Sequence, residues 1–377
     1  MAGDVYQQLA KFLDDLPAGF PPSPNGVELR LLRRLFTPEE AGLALHLALI
    51  AEEARVIAVR AGLSLSETER ILGEMERKRI VLAFHEAGKP THYMAEQFVI
   101  GFWEGQVNRL DPELIELFEE YLPTYAHSGI WEKGPQLRTI PVHQSIPVNN
   151  VILAYEQIDA ILAAHHTFAV ANCICRQEMR LTGHDCGKPL ETCLAFDGGA
   201  DYFVQDGRGR YISREEALAL IRRGEEAGLV LQPGNTRDSG NLCMCCGCCC
   251  GVLRSLKMNP SPARMVSSPF YAVVDREACA GCGDCLERCQ MDAISLPDGA
   301  AEIDLERCIG CGLCVTTCPN DALSLTRKPA AQQRPVPKDT VQMAIRLAQS
   351  RGRLGLLQMA HIASRSAVDR LRAALKQ

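Results

Sequence analysis

Eight cysteines between residues 279 and 318 constrain this chain more than any other feature. They fall into two runs of C-x2-C-x2-C-x3-C: Cys279, Cys282, Cys285 and Cys289, then Cys308, Cys311, Cys314 and Cys318, the last followed by Pro319. A loop with two-residue gaps wraps tightly enough for three sulfurs to converge on one metal–sulfur centre. Paired C-x2-C units also bind zinc in tetrahedral sites, so a pair of zinc knuckles is the competing reading. Two complete runs, with Cys-Pro closing the second, point to 4Fe–4S clusters instead.

This stretch resembles the dicluster bacterial ferredoxins over residues 272–325. The resemblance implies that the fourth cysteine of each run serves the other cluster. One cluster would then have Cys279, Cys282, Cys285 and Cys318 as ligands, the other Cys308, Cys311, Cys314 and Cys289. One position departs from the pattern: Gln290 follows Cys289 where the family usually has proline. That change leaves the ligands untouched and bears on the local turn and on the potential of one cluster. A strand at 271–274 opens the segment, and short strands at 293–296 and 322–325 follow the two runs, a duplicated cluster loop.

Ten of the eighteen cysteines lie upstream. Cys173, Cys175, Cys186 and Cys193 form one group, and Cys243, Cys245, Cys246, Cys248, Cys249 and Cys250 the other. Disulfide scaffolds are short secreted chains, whereas this one has 377 residues, 47% of them hydrophobic, enough for several cores. A reducing cytoplasm is the expected setting. A free thiol packs as a small hydrophobe, but six within eight positions, read here as a Gly-flanked loop, cannot all turn inward. The economical reading is one additional 4Fe–4S cluster on Cys173, Cys175, Cys186 and Cys193, and a second drawing on the 243–250 group. Zinc is the alternative at either. Neighbours such as Cys245 and Cys246 cannot all reach one cubane, leaving some thiols free, bridging or redox-active. His184 is a candidate substitute ligand, though a lone histidine is more often a hydrogen-bond donor. Residues 167–257 resemble an uncharacterised Cys-rich module that precedes dicluster ferredoxin domains in anaerobic bacteria and archaea, which implies an iron–sulfur redox role without a defined reaction.

The class expected is α+β and multidomain: a mostly helical, winged-helix-like part at 1–106, a Cys-rich α+β part at 107–258, the dicluster part at 268–327, and a basic helical tail at 338–377. Helices are read at 5–16 and 27–36. Thr37-Pro38-Glu39-Glu40 is a capping box opening a helix over 38–50. A short helix at 53–61 closes at Gly62, and Ser66 opens another to about Arg79. A hairpin pairs 80–85 with 91–94. This order resembles the winged-helix family over 38–98, which mostly binds DNA. The candidate recognition helix, however, mixes Glu67, Glu69, Glu74 and Glu76 with Arg70, Arg77, Lys78 and Arg79, and lacks the basic face that phosphate binding needs. Further on, Asp111-Pro112 caps a helix to about 121, 139–142 reads as a strand, and Trp103 and Trp131 as core residues. Ile152, Tyr155, Ile158 and Leu162 mark an amphipathic helix over 149–164. A strand at 167–172, a helix from Ser213 to about 227 and an apolar run at 228–231 follow. Pro-rich stretches at 259–262 and 329–337 read as linkers. The tail's Arg346, Arg351, Arg353, Arg365, Arg370, Arg372 and Lys376, with Val341, Ile345, Leu354, Leu357, Ile362, Val368 and Leu371, suit a helix packed on its own protein, or one lying on an anionic membrane or acidic partner.

No apolar run long enough to span a bilayer is present, and the start lacks a basic segment followed by an apolar one. A net charge of −6 gives no general pull toward nucleic acid. The function expected is a multi-cluster relay, carrying one electron at a time between redox protein partners within a larger anaerobic redox system. Two other readings stand beside it: a redox-sensing winged-helix transcription regulator, and a Cys-dependent oxidoreductase subunit. No nucleotide-binding glycine loop, flavin fingerprint or nucleophile–histidine arrangement is seen.

Overall fold

A computed structural model describes residues 3–142, 145, 153–353 and 356–375. The chain is an α+β, multidomain molecule. It divides into two compact units, Met1–Tyr125 with Ala344–Gln377, and Ala126–Met343.

In the first unit, α1 (Val5–Asp15) is capped by Asp4, whose carboxylate accepts from the Tyr6 N–H at 3.1 Å. It buries Leu9 and Leu13, as α2 (Val27–Leu35) buries Leu31 and Leu32. The capping box opens α3 (Pro38–Ala44): Glu40 N–H donates to Thr37 Oγ1 at 3.3 Å and Thr37 N–H to Glu40 Oε2 at 2.7 Å. The helix stops at Ala44, six residues short of the expected end. The following segment turns outward, and the Ala48 carbonyl accepts the Ala95 N–H at 2.8 Å, so a tertiary hydrogen bond replaces helix continuation.

Next come β1 (Glu52–Glu53), α4 (Ala54–Ala61), α5 (Leu65–Arg77), β2 (Leu82–Phe84) and β3 (His92–Met94), with the strands ordered β1-β3-β2. The cap of α5 is Ser64, whose Oγ accepts from Glu67 N–H at 3.2 Å, and not Ser66. Asp111 caps α6 (Pro112–His127), with Leu114 N–H donating to its carboxylate at 2.9 Å. Trp103 is buried and stacks on Phe118 with ring centres 3.8 Å apart.

The terminal helix, Leu356–Leu375, is fastened here by a buried ion network. Arg60 Nε reaches Asp369 at 2.8 Å, while its Nη1 and Nη2 hold Glu52 at 2.6 and 2.7 Å, the three side chains being 1–6% exposed. Arg351 and Arg353 pair with Asp14 and Asp15. Arg60, Asp14 and Asp15 thus engage basic and acidic groups of the tail. Leu354 and Lys376, counted in the tail's pattern, lie outside the described residues.

The second unit is built on an antiparallel sheet. The helix expected over 149–164 begins, with Ile152, outside the described residues; from 153 the chain makes a short 3-10 turn, Ala154–Glu156, after α7 (Ile130–Lys133) and before α8 (Ile158–Ala163). Then follow β4 (Phe168–Asn172), α9 (Ile174–Leu181), β5 (Glu191–Phe196), α10 (Gly198–Gln205), β6 (Gly209–Ile212), α11 (Arg214–Glu226), β7 (Val230–Pro233), β8 (Asn241–Cys245) and α12 (Gly251–Lys257). The sheet order is β6-β4-β5-β8-β7.

The 243–250 stretch, read as a loop, therefore starts as strand, its first three residues belonging to β8. Leu242 and Met244 alternate into the core, and Met244 packs so closely under α11 that a Cβ at Gly224 would meet its sulfur at 2.6 Å. Residues 137–140 pair with the edge of β7 through bridges Leu137 to Gly234 and Ile140 to Leu231. The stretches read as linkers are built into the fold: Pro262 is buried and opens a short helix, and Arg237 N–H donates to the Pro337 carbonyl at 2.9 Å. The unit ends with α13 (Pro262–Met265), β9 (Phe270–Val274), α14 (Asp284–Arg288), β10 (Ile294–Ser295), β11 (Glu302–Ile303) and β12 (Leu323–Arg327); β9 pairs with β12 and β10 with β11. Among the described residues no helix is long and apolar enough to cross a membrane.

Candidate metal centres

The two cysteine runs line two separate hollows. Cys308, Cys311 and Cys314 share one with Cys289. Cys279, Cys282 and Cys285 share the other with Cys318. Each fourth cysteine therefore crosses to the partner run's hollow. The backbone repeats the same pattern on both sides. Ala272 N–H donates to Cys308 Sγ at 3.4 Å and Ala301 N–H to Cys279 Sγ at 3.3 Å; Ala293 and Ala322 N–H groups reach Cys289 and Cys318, each at 3.3 Å. N–H groups aimed at sulfur stabilise thiolate, the form a cluster binds.

Two glycines make the loops close enough. Gly281 and Gly310 have φ of +65° and +67°, and a Cβ on them would lie 2.1 Å from the Gly299 carbonyl oxygen and 2.2 Å from that of Phe270. The hollows differ in burial. Burial pushes the Cys311 thiol up to about 12 and those of Cys308 and Cys314 upward as well, whereas Cys282 is exposed and N–H donation from Ala301 and Gly281 draws Cys279 down. The residues present fit two clusters, each held by four thiolates, which supply one-electron chemistry when bound.

Gln290, the residue that departs from the ferredoxin pattern, is nine-tenths buried, and its Oε1 accepts the Gly247 N–H at 2.8 Å. Gly247 sits in the upstream cysteine-rich turn. The contact is so close that a Cβ on Gly247 would stand 2.0 Å from the Gln290 carbonyl oxygen. The substitution thus joins the dicluster part to the cysteines upstream.

Those ten thiols sort into two sets. Six form a chain of sulfur–sulfur contacts running Cys173, Cys175, Cys250, Cys245, Cys243, Cys193. Cys193 on β5 is paired in register with Cys243 on β8. Cys173 and Cys250 stand immediately before α9 and α12; the Arg176 N–H bonds the sulfur of the first, and Leu253 and Val252 N–H groups that of the second. The remaining four, Cys186, Cys246, Cys248 and Cys249, converge elsewhere, all four sulfurs lying within 4.8 Å of one another. Cys186 therefore joins the turn and not Cys173, Cys175 and Cys193. A hydrogen bond from Cys249, helped by the Arg176 charge, draws the Cys246 thiol down to about 5 against the opposing effect of burial. His184 is exposed and meets Thr182, outside both sets.

Arg176 is a buried neighbour of these thiols that spacing did not single out. It is 2% exposed; its Nη2 donates to Thr192 Oγ1 at 2.6 Å and to the Met244 carbonyl at 2.5 Å, while Nε and Nη1 have no hydrogen-bond partner among the described residues. Cys173, Cys246, Cys245 and Cys175 face its charge. A buried cation with free N–H groups beside thiols fits thiolate ligands of an anionic centre. The signal was present in Cys-Ile-Cys-Arg, an arginine set inside a run of ligands.

A family model described as a 4Fe-4S dicluster domain matches residues 272–325. No curated protein and no solved structure matches the chain. The C-terminal part of the second unit is thus a ferredoxin-type dicluster domain, and with the cysteine clusters upstream it supports an iron–sulfur electron-transfer role.

Proposed function

We propose that the chain is a multi-cluster relay that passes single electrons between redox proteins of a reducing compartment. Its ligands are two sets, Cys279, Cys282, Cys285 and Cys318, and Cys308, Cys311, Cys314 and Cys289. A third 4Fe–4S centre draws four thiolates from Cys173, Cys175, Cys193, Cys243, Cys245 and Cys250, with Arg176 as its buried counter-charge. The observation that carries this reading is the Gln290 to Gly247 hydrogen bond, 2.8 Å long. It sets the residue after one cluster ligand against a turn whose flanks, Cys245 and Cys250, belong to the upstream set. A free carrier has no use for such a junction; a relay needs one.

The first unit serves as a scaffold in this proposal. Its order of three helices and the β1-β3-β2 sheet favours a winged-helix arrangement, but Arg70 pairs with Glu39 and Arg77 with Glu74, leaving α5 with little basic surface for phosphate. Anaerobic purification with iron and acid-labile sulfide analysis tests the relay. The expected result is about twelve irons and about twelve sulfides per chain, with spin coupling among the reduced centres. About eight irons would confine redox chemistry to the dicluster domain and overturn the relay.

A further inference from the structure

We propose that Cys186, Cys246, Cys248 and Cys249 form a mononuclear tetrathiolate site that holds one zinc ion and carries no electrons. The argument is distance. A tetrahedral zinc with bonds of about 2.3 Å sets its sulfurs about 3.8 Å apart. A cubane interposes four irons and spreads its thiolates to about 6 Å. In this quartet every sulfur lies within 4.8 Å of every other, and Cys248 and Cys249 are 3.7 Å apart. Among the described residues no other set of histidine, cysteine, aspartate or glutamate side chains is so compact. The eight dicluster cysteines provide the contrast, since none of them belongs to a set so compact.

The chain positions the quartet from two directions. Cys246 follows β8, and the turn after it closes with Cys250 N–H donating to the Cys246 carbonyl at 3.0 Å, which brings Cys248 and Cys249 back beside it. Cys186 arrives from the exposed arm between α9 and β5. Four thiolates with no carboxylate or water-binding group among them suit a borderline-soft ion in a closed tetrahedron, the structural form of a zinc site. Exposed Cys248 and half-buried Cys186 leave a route for the ion. The ion would tie the arm to the turn that carries Gly247, and so brace the junction with Gln290. The inference rests on the quartet's geometry and stands whether or not the relay does.

Metal analysis of the full chain, with absorption spectroscopy at the zinc edge, tests it. The expected result is about one zinc per chain with four sulfur neighbours at about 2.3 Å. In Cys186→Ser and Cys248→Ser zinc should fall at least tenfold while iron and sulfide stay unchanged. Cys248→His, which keeps a ligand, should retain zinc with one nitrogen and three sulfur neighbours, a change that a cysteine used only for packing would not produce. This variant and the wild-type spectrum decide the matter where serine variants fail to fold. Loss of about four irons and four sulfides in the variants, with no zinc in the wild type, would mean a cubane and overturn the proposal. One iron without sulfide in the quartet would overturn the zinc assignment.

Discussion

Replacing Gly247 with alanine puts the junction between the two cysteine regions under load. The new Cβ would stand 2.0 Å from the Gln290 carbonyl oxygen and 3.0 Å from its carbon. Ordinary contact begins about 3.4 Å apart, so roughly 1.4 Å of separation has to be found. Neither side yields easily, because both are backbone: one is the turn carrying Cys246 and Cys248, the other the residue next to Cys289. Overpacking of this kind costs about 1–3 kcal/mol. Stretching the buried Gly247 to Gln290 hydrogen bond adds about 1–3 kcal/mol for the unsatisfied N–H. The sum, about 2–6 kcal/mol, lowers a urea midpoint by about 0.7–2 M at a slope near 3 kcal/mol/M. The companion Gln290→Ala removes the acceptor, together with the amide's own bond to the Arg288 carbonyl at 3.2 Å, and should lose about 1–3 kcal/mol; Gln290→Pro, which restores the usual ferredoxin residue, should lose as much. Urea unfolding followed by cluster absorbance, with iron content before the titration, measures all three. A Gly247→Ala protein that keeps its iron and unfolds within about 0.5 kcal/mol of wild type would refute the junction.

Arg60→Met leaves Glu52 buried without its paired cation and Asp369 with only the longer contacts to Arg365 and Arg372 at 4.0 and 3.8 Å, and should destabilise the first unit by about 3–5 kcal/mol, releasing the terminal helix to limited proteolysis. Burial acts to raise the Glu52 carboxyl, yet hydrogen bonds from Arg60 and Ser366 hold it below its usual range; this contribution is present above the unfolded pKa near 4.3 and lost as pH falls through the lower folded value, so the gap between wild type and variant should narrow below about pH 4 in chemical denaturation. Gly310→Ala should remove about four irons, those of the Cys308, Cys311, Cys314 and Cys289 hollow, while Gly281→Ala removes about four from the other, each measured against untreated protein by iron analysis. Arg176→Gln should shift the potential of the upstream centre to more negative values and leave the dicluster signals in place, with Arg176→Lys partly restoring it, as read by redox titration.

The grouping of the dicluster cysteines around two hollows was legible because most of each group is local. Three thiols per hollow come from one tight loop, and the fourth follows at fixed spacing, so sequence distance reports spatial distance. Upstream, the strands carry the thiols apart and together again. Cys186 and Cys193 are close in sequence, but Cys193 lies within β5, facing Cys243 on β8, while Cys186 lies on the arm before it. No spacing rule shows that register. Caps and aromatic core residues were readable, Thr37 with Glu40 and Trp103 among them, since each depends on neighbours or on sheer apolar area. The end of α3 was not, because the Ala95 to Ala48 hydrogen bond comes from a hairpin far along the chain.

The Cys-Met-Cys-Cys-Gly-Cys-Cys-Cys stretch becomes intelligible once its first three residues are strand. Side chains alternate across a sheet with a period of two, so Cys243 and Cys245 fall on one side of β8 and Leu242 and Met244 on the other, with Cys246 just past its end. The first pair accordingly contacts Cys193 and Cys250 in the six-thiol chain. Cys246, one step out of phase, is delivered to the quartet with Cys186. Gly247 then permits the close approach to Gln290, the turn supplies Cys248 and Cys249 to the quartet, and the chain returns Cys250 to the first set at the start of α12. A run too dense for any single centre is therefore the shortest way to feed two from one strand end. The buried Arg176 guanidinium, facing Cys173, Cys175, Cys245 and Cys246, touches both sets with its charge. Its removal should disturb both, iron through the first and zinc through the second, whereas loss of Cys248 should disturb only the zinc.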